Sequence, residues 1–253
     1  MKSPLSVIVI TKNETNNIES CLKSVSFADD IVVVDAESND DTVLKAKKYS
    51  NSVFVKPWQG FAAAKQFAVQ QTKHSWVLWL DADERVMPNL AVEIQQIISK
   101  NPAQAVFTVA RRAYFLGKWM RHSGWYPGRV TRLFHKERAE FNNAAVHEGL
   151  SIYGNIGELR NDLVHYTDPN IFHYFSKFNR YTSLAADELA KKEKIFKLTD
   201  IIIRPWWQFV RMYFIRFGFL DGIQGLLLAL FSSGYVFTKY AKLWERKSKI
   251  NSK

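Results

Sequence analysis

The chain has 253 residues, 47% of them hydrophobic and 23% charged, with 11 glycines and 7 prolines, a composition that supports one or two packed domains and excludes a disordered or collagen-like protein. Lys and Arg number 35 against 24 Asp and Glu, a formal charge of +11, so the expected partner is anionic: nucleic acid, an acidic lipid surface or a phosphorylated substrate. The single cysteine, Cys21, excludes an internal disulfide and suits a reducing cytoplasm.

The opening "MKSPLSVIVITKNE" has an apolar run that stops at Ile10; it is too short for a signal-peptide core and is expected to be a first strand. Near-continuous apolar runs follow at 31–35, 52–55 and 76–80, separated by helical patterns around 15–25, 41–50, 61–72 and 88–99. Strands of that kind between helices predict an α/β fold, a mostly parallel sheet with helices on both faces. Ligands of such sheets sit beyond the carboxyl ends of the strands. Thr11, Asn13 and Glu14, then Asp35 to Asp40, Lys56 to Gly60 and Asp81 to Glu84 occupy those positions. From about residue 105, "AVFTVARRAYF", "RVTRLFHK" and "GLSIYGN" are expected to complete the sheet, and 170–197 reads as helix.

The tail from Ile201 combines aromatic and basic residues with almost no acid. Pro205 suits a helix start, and Gly218 with Asp221 and Gly222 suggests a break between two helices. The most apolar stretch, 223–237, falls short of the roughly 20 residues a spanning helix needs, so no conventional transmembrane helix is expected. The pattern describes an amphipathic helical extension lying on a membrane surface; the plain alternative is a core hairpin whose arginines snorkel outward.

Neither the dinucleotide fingerprint nor the Walker pattern follows any strand. Any phosphate must then be handled another way, and a carboxylate pair can do it through a divalent cation, Mg2+ or Mn2+, which takes one or two carboxylates together with phosphate oxygens. Asp81 and Asp83, on one side of an extended chain, fit that need, although an Asp-x-Asp triplet also serves as a turn or helix cap. Asp35 stands at a strand end where it can accept from a base N–H, while Asp40 or Asp41 caps the next helix. His147 and Glu148 form either a polar turn or the group that takes a proton from an attacking hydroxyl. His165 is a metal ligand or a packing histidine. Lys65, Arg111, Arg112, Arg129 and Arg132 are candidates for pairing with phosphate. Arg129 and Arg132 lie three apart, so on a strand at most one faces the site.

Taken in order, "SVIVITKNE", "VVVDAESNDDT", "GFAAAKQFA", "WVLWLDADE", "GWYPGRVTRLF", "VHEGL" and "LVHY" resemble the inverting glycosyltransferases of family 2 with the GT-A fold, and among them the lipopolysaccharide inner-core heptose β-1,4-glucosyltransferases. The resemblance implies a Rossmann-like domain with a nucleotide-sugar half at 1–110, an acceptor half at 111–169 and a membrane-associating helical extension at 170–253. It implies that Thr11, Asn13 and Glu14 line the nucleotide pocket, that Asp35 meets uracil, that Lys65 approaches the nucleotide and that Asp81 lies on the ribose. Asp83 and His165 would hold the cation. Gly124, Trp125 and Tyr126, with Arg132 and His147, would face the acceptor, and Glu148 would be the base. The implied activity moves one hexose, glucose from UDP-glucose, onto a lipid-anchored heptose at the inner face of the cytoplasmic membrane. Gly128 stands where relatives commonly carry an acid, Gln66 where asparagine is usual, and His147-Glu148 where Glu-Asp is more familiar. Another donor, a polyprenyl-phosphate or other polysaccharide acceptor, and a basic nucleic-acid-binding module are the competing readings; carboxylates converging near Asp81 count against nucleic acid.

Overall fold

The computed structural model describes residues 3–141 and 150–251. In chain order its elements are β1 (Leu5–Thr11), α1 (Ile18–Ser24), β2 (Asp30–Asp35), α2 (Thr42–Ala46), β3 (Ser52–Val55), α3 (Phe61–Gln70), β4 (Trp76–Asp81), β5 (Glu84–Val86), α4 (Pro88–Ser99) and β6 (Gln104–Phe115). They continue with β7 (Lys118–Trp119), β8 (Gly128–His135), β9 (Ala139–Phe141), β10 (Leu150–Ile152), β11 (Asn155–Glu158), β12 (Leu163–Asp168), α5 (Ile171–Lys191), α6 (Leu198–Val210) and α7 (Gly222–Asn251). The chain divides into two compact units, Met1–Arg111 with Arg129–His165, and Arg112–Gly128 with Tyr166–Lys253.

In the first unit, β1 is buried at every position and lies between β2 and β4, parallel to both, with β3 outside β2. A strand buried on both faces needs apolar residues throughout. Its odd residues Leu5, Val7 and Val9 join Leu78 and Leu80 of β4, Ile18 and Leu22 of α1, and Leu90, Ile94 and Ile98 of α4. The i, i+4 spacing in α4 puts its three residues on one face, and Pro88 opens that helix, where a missing N–H costs nothing. The even residues Ile8 and Ile10 pack on the other side with Val32, Val34, Ala68, Val77 and Phe134. Each Val, Leu, Ile or Phe among them contributes about 1.5–3 kcal/mol when fully buried.

Past β4 the sheet becomes mixed, in the order β4-β8-β6-β12-β5, with β8 antiparallel to β4 and β5 antiparallel to β12. β5 is thus at the far end of that path, although only Ala82 and Asp83 separate it from β4. Three residue steps reach at most about 11 Å, so the five strands curl round until the last meets the first. The Glu84 carboxylate accepts from the Asp81 backbone N–H at 3.1 Å.

The second unit has its own core of Phe115, Met120, Met212, Leu228 and Ala229. The expected helix break is there: a π-turn over Arg211–Ile215, a 3-10 turn over Gly218–Asp221, and Gly222 at φ +64° opening α7. A side chain at Gly225 would meet the Gly218 carbonyl oxygen at 1.9 Å, so only glycine permits that approach. Two expectations are corrected. Pro205 lies inside α6, whose start is set earlier by Asp200 accepting from the Lys197 backbone N–H at 3.0 Å. The apolar stretch 223–237 is part of a longer helical region, Gly218–Ser248, with a window of mean hydropathy 1.3. By length and composition alone it could cross a membrane, a property that core helices of soluble proteins share. The polar residues that interrupt the apolar run do not interrupt the helix, so counting consecutive apolar residues understated its length. Trp206, Trp207, Phe214, Phe217 and Phe219 are exposed.

Candidate active site

The carboxyl ends of β1 and β2 are laced together by their loops. Asn13, at φ +54°, donates its backbone N–H to Ser38 Oγ at 2.7 Å and accepts from the Asn39 backbone at 3.0 Å through its side chain. The Glu14 N–H donates to Thr42 Oγ1 at 2.8 Å. Asp35 is fully buried, and its two oxygens accept from the Ser38 N–H and hydroxyl. Its carboxylate therefore builds the turn that follows it. Asp40, rather than Asp41, takes the Thr42 N–H at 3.0 Å. Thr11 Oγ1 is buried with no hydrogen-bond partner. Beside this edge lies a cavity of about 100 Å³ lined by Ile10, Val34, Ala36, Lys56, Trp58 and Phe67, among others.

The end of β4 is organised by Arg132 of β8, of which 3% is exposed. Its guanidinium forks onto the fully buried Glu84, Nε to Oε2 and Nη2 to Oε1, both at 2.8 Å, and the same Nη2 reaches Asp81 Oδ2 at 2.6 Å. A bidentate, charge-assisted fork fixes direction as well as energy. Burial opposes the Arg132 charge, but Glu84 and Asp81 more than offset it and hold its proton more tightly than usual. Burial likewise pushes the Glu84 carboxyl up while Arg132 pulls it down. Arg129 serves elsewhere, on the Leu159 carbonyl and Glu158, so one of the two strand arginines faces this site, as their spacing predicts. The face of Trp79 carries both Arg132, at 4.3 Å, and the buried Lys65 ammonium, at 3.8 Å.

Asp83 and His165 meet, with Oδ2 3.3 Å from Nε2 and both side chains mostly buried. Among the described residues no group of three or more His, Cys, Asp and Glu is arranged to hold a metal ion. Two donors at this separation nevertheless fit a hard cation that keeps waters and substrate phosphates as its remaining ligands. The Asp83 carboxylate favours a proton on the facing His165 Nε2, so ligation through Nε2 would require the proton on Nδ1, which is buried and without a partner. Arg85 steadies the turn that carries Asp83: its Nη1 donates to the carbonyls of Ala82 and Glu84 at 2.8 and 2.7 Å, and its Nη2 to Asn17 Oδ1 at 3.1 Å. Asn17 in turn donates to Glu14, which ties the β4–β5 turn to the β1 loop.

Thr11, Asn13, Glu14, Asp35, Lys65, Asp81, Asp83, Arg132 and His165 thus share the first unit. Gly124, Trp125 and Tyr126 lie in the second, where Trp125 packs on Phe115 and Tyr126 on Trp119. Gly124 has φ +78°, and a Cβ there would strike the Arg216 side chain. His147 and Glu148 lie outside the described residues. Arg85 and Trp79 are residues that sequence reasoning did not single out, and Glu84 was named only among the polar groups that follow β4. Glu84 directly follows the Asp-x-Asp triplet, and its partner Arg132 is distant in sequence.

Cys21 lies beneath this turn, donating its thiol to the Asp81 carbonyl at 3.6 Å. Burial pushes it up to about 12, so the thiolate is absent at neutral pH. The prediction is that iodoacetamide at pH 8 leaves the native protein unmodified and labels one thiol per chain in urea; rapid native labelling would contradict this burial.

The glycosyl transferase family 2 profile matches residues 6–166. The lipopolysaccharide core biosynthesis glycosyltransferase LpsC of Rhizobium meliloti is 29% identical over 97% of this chain and 93% of its own length. An uncharacterized glycosyltransferase of Rickettsia felis is 31% identical over 98% and 92%. Among solved structures, the mannosyltransferase PcManGT of Pyrobaculum calidifontis, in complex with GDP-Man and Mn2+, aligns over 96% of this chain and 88% of its own, with a TM-score of 0.57 and 15% identity. That likeness shows the GT-A-like fold. With a family match over more than half its length and near full-length relatives, this chain is a glycosyltransferase and belongs to glycosyl transferase family 2.

Proposed function

We propose that the protein transfers one hexose, glucose from UDP-glucose, with inversion onto a heptose of the lipopolysaccharide inner core. The observation that carries the donor half of this reading is the meeting of Asp83 and His165 beside the fixed Asp81, at the strand edge where α/β sheets bind ligands. Near full-length similarity to a lipopolysaccharide core glycosyltransferase supports the acceptor class. The laced β1 and β2 loops, the unpartnered Thr11 hydroxyl and the adjoining cavity supply a wall for the nucleoside. Asp35 meets uracil through the oxygen lone pairs that Ser38 leaves free. Asp81, oriented by Arg132, takes the ribose hydroxyls, and Lys65 stands near the nucleotide.

Asp83 and His165 would hold Mg2+ or Mn2+, which when bound supplies positive charge against the diphosphate. Glu148 takes the proton of the acceptor hydroxyl; the oxygen bonds to the anomeric carbon from the face opposite the departing UDP, the carbon–phosphate-oxygen bond breaks, and an α-linked donor yields a β-linked product. His147, Gly124, Trp125 and Tyr126 belong to the acceptor side. The domain roles follow the same order: donor half 1–110, acceptor half 111–169, and 170–253 resting on the inner face of the cytoplasmic membrane, where exposed Trp206, Trp207 and Phe214 suit an interfacial position.

A hydrolysis screen of nucleotide sugars with Mg2+ and Mn2+ tests this. UDP-glucose is expected to be cleaved fastest, and Glu148→Gln to lower kcat by about 10²-fold or more with donor KM nearly unchanged. Cleavage of a guanine or cytosine nucleotide sugar alone would refute the donor, and equal changes in kcat and KM would refute the base.

A further inference from the structure

We propose that Arg111, on β6, is the side chain that receives a phosphate oxyanion of the substrate; the proposal rests on the nucleotide-sugar reading above for its preferred source, the donor diphosphate. The sheet order β4-β8-β6-β12-β5 carries one polar side chain per strand near the site: Asp81, Arg132, Arg111, His165 and Glu84. Arg111 is the member without a partner. Its guanidinium makes no hydrogen bond or ion pair among the described residues, and its Nε is shielded from solvent and unsatisfied.

Arg111 is half-buried, and a shielded guanidinium N–H without an acceptor is costly enough that native chains seldom leave one without a reason. Neighbouring charges do not relieve it. Both oxygens of Glu84 and one of Asp81 are taken by Arg132, and Asp83 is against His165. Burial works most strongly against the Arg111 charge and outweighs the field of Glu84, which favours it; Arg132 opposes it, and Asp81 and Asp83 add smaller support. The other basic candidates are already engaged: Arg129 on backbone carbonyls, Lys65 over aromatic rings, Arg112 over Trp119. Arg111 is thus a guanidinium held near the carboxylates that would carry a cation, with its planar fork of donors unspent, and that geometry matches two oxygens of one phosphate group.

The test titrates wild type, Arg111→Met and Arg111→Lys with UDP, uridine and inorganic pyrophosphate in Mg2+ by calorimetry, with melting curves to verify folding. Arg111→Met is expected to bind UDP and pyrophosphate at least tenfold more weakly and uridine within twofold of wild type. Its melting temperature should hold or rise, since an unsatisfied buried group has been removed. Arg111→Lys, which keeps the charge without the fork, should lose at least threefold and carries the test if the Met variant fails to fold. Displacement of pyrophosphate by UDP assigns the oxyanion to the donor; simultaneous binding assigns it to a phosphorylated acceptor. Unchanged pyrophosphate affinity in Arg111→Met overturns the proposal, as does a wild type that binds no pyrophosphate. Arg111-dependent pyrophosphate binding by a protein that ignores every nucleotide would instead sink the nucleotide-sugar reading and leave the Arg111 assignment standing.

Discussion

Replacement of Asp83 by Asn is expected to abolish the stimulation of UDP binding by Mn2+ and to lower sugar transfer by about 10²- to 10³-fold, the scale of losing several kcal/mol of charge stabilisation. The chain should still fold, because Asn keeps the shape of the side chain and a hydrogen-bonding oxygen for its surroundings. Asp81→Asn is a contrasting case. It weakens the contact with Arg132 and should reduce nucleotide affinity while leaving the response to Mn2+ in place. Calorimetry of UDP with and without Mn2+ separates the two. Retention of a Mn2+-dependent gain in both Asp83→Asn and Asp83→Ala would remove Asp83 from the cation site.

The largest effect on stability is expected from Arg132. Arg132→Ala leaves Glu84 charged and fully buried without its fork, a loss of about 3–5 kcal/mol measurable by urea denaturation. The deficit should depend on pH in a defined direction. Burial raises the folded-state pKa of Glu84, and without Arg132 nothing comparable opposes that. A carboxyl raised in the folded state favours folding while protonated, below its unfolded pKa of about 4.3, and this contribution is lost as pH rises through the folded value. Arg132→Ala is therefore expected to be most destabilised at neutral and alkaline pH and to recover on acidification. The paired replacement Arg132→Met with Glu84→Leu should regain most of the stability but not the nucleotide affinity, since nothing then aims Asp81. A pH-independent deficit in Arg132→Ala would mean that Glu84 is rescued by another group.

The legible part of the fold is the part governed by short-range pattern. β1 through β4 and α1 through α4 were predictable because a strand buried on two faces must be apolar at nearly every position and a covering helix must repeat every three to four residues. The acids beyond Asp35 and Asp81 were legible for the same reason, since a strand end is a local feature. The β4–β5 turn was less so. Three residues, Glu84–Val86, are too few to show a period, and their strand exists because β12 supplies its ladder. Pro205 misled because its intrinsic preference for a first turn was overridden by a start set at Lys197 and Asp200.

Residue order alone therefore settled the fold class, the family and the strand ends at which chemistry would gather, all properties of local periodicity and motif order. Pairing was beyond local pattern: that Arg132 would be spent on Glu84 and Asp81 and that Arg111 would be left over, whereas the meeting of His165 with Asp83 was implied only by the family resemblance. These depend on which strands become neighbours across a curled sheet. Sequence separation carries no information about that adjacency, because the strands that touch are chosen by the burial of the whole sheet rather than by the residues at its edge.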